Sequence, residues 1–144
     1  MRPPRPVLLA CLLALLAAVI PAASPAQDVA PPVAPRMAAG IADHFHGPGA
    51  FVRAACSASC DIKGSVKITY NMRRFLHLPY KTVGTGKGHL DGGGSINVLV
   101  DLTNRAIRAV RKRGGNQLPV TLTATAKDAD GRTSKLTKKL KIPL

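Results

Sequence analysis

A small, mainly β domain is predicted for this chain: a two-sheet β-sandwich of about six strands with one connecting amphipathic helix. Three observations predict it. Apolar and polar residues alternate with period two over residues 60–70, 95–102, 118–128 and 132–142. Turn-forming clusters, Asp91-Gly92-Gly93-Gly94 and Asp128-Ala129-Asp130-Gly131, separate the later runs. Finally, all 7 acidic residues are Asp. A chain without Glu lacks a main residue of exposed helix surface, which argues against a helical bundle.

The first 26 residues read as a secretory signal peptide. Arg2 and Arg5 supply a basic start, Val7 to Ile20 an apolar run of fourteen, and Pro21 to Ala26 small residues before a cut ahead of Gln27. Fourteen apolar residues fall short of the ~20 that a membrane-spanning helix needs. An uncleaved N-terminal anchor is the alternative. Leu8-Leu9-Ala10-Cys11 is similar to a lipobox, but cutting there would leave most of the greasy run on the product, so Cys11 reads as one more apolar residue. Secretion, or residence in the cell envelope, is therefore expected, with no transmembrane helix after cleavage.

Residues 27–49 hold Pro31, Pro32, Pro35 and Pro48 among Ala and Gly. With few large apolar side chains they are expected to form a disordered, Pro/Ala-rich linker. The folded domain is then residues 50–144. It opens with a short strand, Phe51 to Ala55. From Cys60, one face carries Cys60, Ile62, Val66 and Ile68, and the other Asp61, Lys63, Ser65 and Lys67. Asn71 to Leu78 breaks this alternation with a short helical turn, which Pro79 ends. Tyr80 to Leu90 resumes as a glycine-loosened strand and forms a hairpin with Ser95 to Leu102.

Thr103 is placed to cap a helix from Asn104 to Arg113, with Ala106, Ile107 and Val110 on one face and Arg105, Arg108 and Lys112 on another. Gly114-Gly115 stops it. Leu118 to Asp128 and Arg132 to Ile142 form the closing hairpin.

That hairpin, Val120-Thr-Leu-Thr-Ala-Thr-Ala-Lys-Asp-Ala-Asp-Gly-Arg-Thr, resembles the last hairpin of Ig-like and fibronectin type III-like modules in exported bacterial proteins. The Cys-x-x-x-Cys before a strand and the Leu-Thr-x-x-Ala basic helix resemble a variant of secreted proteins in high-GC bacteria. The resemblance covers residues 50–144. It implies an Ig-like β-sandwich serving as a spacer, accessory domain or adhesive unit.

Charge points to a class of partner. The chain carries 21 Lys and Arg against 7 acids, a net +14; with Arg2 and Arg5 lost in the leader, +12 remains. Such a balance favours anionic envelope polymers, and it also keeps an isolated domain soluble. Candidate polyanion-binding residues are Arg105, Arg108 and Lys112 on the helix, and Lys135, Lys139 and Lys141 on the last strand. Arg111, Lys112 and Arg113 also suit the helix dipole in its last turn. Lysines on an outer strand discourage edge pairing. No aromatic residues interleave in the helix, so nucleic acid would be bound without sequence preference. Another envelope protein is the alternative partner.

The two cysteines of the domain, Cys56 and Cys60, read as a disulfide in an oxidising compartment. Redox-active pairs are usually C-x-x-C at a helix N-terminus, and this pair is one residue wider and precedes a strand. Asp43-His44-Phe45-His46 is the most metal-like cluster, but His44 and His46 fall in the expected linker and are read as solvated. Gly84-Thr85-Gly86-Lys87-Gly88 lacks the Ser or Thr that follows the lysine in a phosphate loop. Thr121, Thr123 and Thr125 form a regular wet face explained by cross-strand pairing. No serine, histidine and acid fall into a nucleophile motif. Neither a cofactor nor a small-molecule substrate is indicated, and a non-catalytic interaction or structural module is expected.

Overall fold

A computed structural model of the chain describes residues 33–42 and 47–144. The expected signal peptide, Cys11, and His44 and His46 lie outside the described residues. Seven strands and two helices follow in the order β1 (Arg36–Ile41), β2 (Gly49–Cys56), β3 (Cys60–Lys67), α1 (Tyr70–Phe75), β4 (Thr82–Leu90), β5 (Gly94–Leu102), α2 (Asn104–Lys112), β6 (Gln117–Asp128) and β7 (Thr133–Pro143).

All seven strands belong to one antiparallel sheet in the order β1-β2-β5-β4-β3-β6-β7. The expectation of two separate sheets is corrected here: the sheet curls into a nearly closed barrel. Its outer strands meet at a seam, where Lys138 Nζ donates to the Ala39 carbonyl oxygen at 2.7 Å. Lys138 alternates with half-buried Leu136 and Leu140 on β7 but is itself exposed, so the seam carries a charge at its rim. A lysine on an edge strand discourages edge-to-edge pairing.

The glycines of β4 allow the curl. Gly84, Gly86 and Gly88 leave the middle of β4, between buried Val83 and half-buried Leu90, without inward side chains. A Cβ at Gly86 would overlap the Leu99 carbonyl oxygen, and one at Gly88 would lie 2.5 Å from Val98 Cγ2. The β5 chain therefore rides close over β4, and the ladder between them is confined to Gly84↔Leu102 and Thr85↔Asp101. Glycine in a strand marks such corners. The glycine run of residues 84–88 is thus a close-packing surface within the sheet.

β1 lies inside the stretch expected to be linker. Its six residues, Arg-Met-Ala-Ala-Gly-Ile, pair with β2 throughout, from Arg36↔Ala55 to Ile41↔Ala50. Small side chains carry little hydrophobic signal, and backbone pairing supplies what the side chains do not.

The alternation of β3 and β6 fills the interior as expected, with Ile62, Val66, Leu118 and Leu122 fully buried, and Ile142 of β7 is buried with them. α2 closes one barrel mouth with Ala106 and Val110 buried. Its first turn is capped by Thr103 Oγ1, which accepts from the Ala106 amide at 3.4 Å. Its end is a Schellman turn: the Gly115 amide donates to the Val110 carbonyl, with Gly114 left-handed at φ 74°. The turn of 71–78 is a full helix, α1, capped in turn by Thr69. α1 closes on the same bonding pattern, Leu78 N–H to Arg73 C=O, with His77 in the left-handed position at φ 52°.

Candidate functional site

Antiparallel strands place every connection at one of two barrel ends. The β3–α1–β4 and β5–α2–β6 connections, residues 68–81 and 103–116, share one end. They contain Arg73, Arg74, Lys81, Arg105, Arg108, Arg111, Lys112 and Arg113, and no acid. Four of the five described acids, Asp61, Asp91, Asp128 and Asp130, lie at the opposite end, Asp101 being the exception on β5.

At the acidic end the carboxylates are paired locally. The His89 ring reaches Asp61 Oδ1 from Nδ1 at 2.7 Å and Asp91 Oδ1 from Nε2 at 2.9 Å. Only the imidazolium donates both bonds, and the two carboxylates raise the His89 pKa from its ordinary value, Asp61 most. Buried Asp128 accepts from the Arg132 amide at 2.8 Å and from Arg132 Nε at 2.7 Å, while Asp130 pairs with Arg132 Nη2. Among the described residues, all ion pairs are of these two groups.

At the basic end the cations instead gather about aromatic rings. The Tyr70 ring has Arg73, Lys81 and Arg74 at 5.1, 5.5 and 5.8 Å from its centroid, and Arg113 lies 4.9 Å from that of Phe75. Arg105 shares a shallow pocket with Pro79 and Tyr80. Tyr70, Phe75 and Tyr80 are 49%, 56% and 74% exposed. Local spacing around α2 shows no aromatic residue, because these three come from the α1 segment.

The candidate residues of the sequence fall into two groups. Arg105, Arg108 and Lys112 are exposed on α2, as the 100° periodicity predicts. Lys135, Lys139 and Lys141 are exposed on the outer wall of β7. Register extends that wall. Lys87, Lys63, Thr125 and Lys135 form one cross-strand row, and Thr82, Lys67, Thr121 and Lys139 another. A hydroxyl row, Thr85, Ser65, Thr123 and Thr137, runs between them. Neighbours across a row are ~4.8 Å apart, so Lys63 and Lys87 repel directly. An anion on the wall would relieve that repulsion. Lys63, Lys67 and Lys87 are legible in the sequence as wet-face residues, but their meeting with β7 depends on β3 pairing with β6.

Cys56 and Cys60 are bonded to each other. They are 7% and 2% exposed, so the bond pins the β2–β3 turn out of reach of solvent thiols. Among the described residues, no group of three or more His, Cys, Asp or Glu is placed to hold a metal ion. Nor is any helix among them long and apolar enough to cross a membrane.

No protein-family model matches the chain, and no curated protein is similar to it.

Proposed function

We propose that this chain is a non-catalytic interaction module, exported to the envelope or beyond, that engages an anionic polymer or surface. The contact is made by the helical end, with the lysine wall as a second basic surface. One observation carries this: eight cations crowd two acid-free connections, while the described ion pairs sit at the far end. Solubility alone asks only for net charge, with signs interspersed. Segregation to one end creates a directed field that steers an anionic partner to that end.

Export in this reading rests on the leader-like residues 1–26, and the bonded Cys56–Cys60 pair suits an oxidising compartment. The likeness of the last hairpin to Ig-like and fibronectin type III-like modules belongs to the same proposal, since such modules serve as adhesive or accessory units. The test is retention on immobilised heparin. Retention that falls steeply as salt rises supports the proposal; passage through the resin at low salt contradicts it.

A further inference from the structure

Resting on the polyanion reading of the same end, we propose that the anionic partner is a lipid bilayer. The helical end would meet the headgroups with Tyr70, Phe75 and Tyr80 at the interface, and the surrounding arginines and lysines on lipid phosphates. A dissolved polymer needs only charge. This end also presents bulk apolar surface: of the five large hydrophobic residues exposed among those described, Ile41, Tyr70, Phe75 and Tyr80 lie here, and only Val33 lies at the other end.

Aromatic rings with polar tips beside cations are the composition that settles at a membrane–water boundary. The rings bury in the headgroup layer while the long basic side chains stay with the phosphates. Stacking against nucleic-acid bases would need open ring faces, and of the three rings only that of Tyr80 has no cation over it among the described residues. Three cations lie within 6 Å of the Tyr70 ring centre, and Arg113 stands over Phe75. Charge fixes the orientation. Each Lys or Arg of this end is drawn to an anionic leaflet, and the acids at the opposite end are held away from it.

The chain has no tryptophan, so Phe75→Trp gives the full-length protein a single local reporter. Thr133→Trp, at the opposite end, is the control that separates docking of this end from any partitioning of the apolar N-terminal run. Both are measured on phosphatidylglycerol vesicles carrying brominated acyl chains. Indole emission of the Phe75→Trp protein is expected to move to shorter wavelength and be quenched, and that of the Thr133→Trp protein to stay unchanged. On phosphatidylcholine vesicles neither should respond. Tyr70→Ser with Tyr80→Ser should weaken the response of the Phe75→Trp protein by about tenfold, roughly the loss of two interfacial rings. A Phe75→Trp protein that is retained on heparin but shows no change on anionic vesicles overturns the bilayer inference and leaves the polyanion reading standing. Failure on both heparin and vesicles overturns both.

Discussion

The Arg113 guanidinium stands 4.9 Å from the centre of the Phe75 ring, and this contact joins the last turn of α2 to the end of α1. It unites two connections far apart in sequence into one basic surface. Phe75 is 56% exposed, so the contact is worth about 0.5–1 kcal/mol. A double-mutant cycle with Phe75→Ala and Arg113→Ala, read by denaturant unfolding, should give a coupling energy of that size. Full additivity would mean the two helices are not tied there.

The two helices end on the same turn with different residues at its left-handed position. Gly114 adopts φ 74° without penalty, whereas His77 holds φ 52° with a Cβ. His77→Gly should therefore stabilise the fold by about 1 kcal/mol, and Gly114→Ala should destabilise it by about the same. Thermal melts of the two variants check the opposite signs.

Asp128 is the one buried charged residue among those described, and it organises the β6–β7 turn. Asp128→Ala leaves the Arg132 amide and Nε without this acceptor and should cost about 2–3 kcal/mol in chemical denaturation. Asp128→Asn keeps an acceptor for the amide and should cost less.

That turn also shows what is legible in the sequence. Asp128-Ala129-Asp130-Gly131 specifies a three-residue hairpin loop, with Gly131 left-handed at φ 81°. Strict alternation from Val120 to Ala126 sets the buried face of β6, and Thr103 with Gly114 bounds α2 to within a residue. These are local signals. Closure of the sheet is not local: it depends on Lys138 meeting Ala39, and on β5 passing over glycines that in sequence only loosen a strand. β1 is hidden for a related reason, since its small residues sit among prolines and its partner strand defines it. The aromatic residues of the basic surface are hidden as well, because Tyr70, Phe75 and Tyr80 precede α2 by a whole hairpin.

His89 gives the acidic end a pH dependence. Its pKa is raised above 6.5 by the hydrogen bonds to Asp61 and then Asp91. A group whose pKa rises on folding stabilises the fold below its unfolded value, and that contribution fades as pH climbs through the folded value. NMR titration should place His89 above 6.5, with Asp61→Asn lowering it more than Asp91→Asn. A His89 that titrates at or below 6.5 would show that the carboxylates do not engage it in solution.

The most direct test of the central claim is the salt dependence of binding to a short mixed-sequence DNA duplex, used as a generic polyanion. Each phosphate neutralised adds about 0.9 to the magnitude of the slope of log K against log salt. Replacing Arg105, Arg108 and Lys112 with Ala should reduce that slope by about 2–3 and weaken binding, whatever the duplex sequence. An unchanged slope and affinity in the triple variant would contradict a binding surface at the helical end.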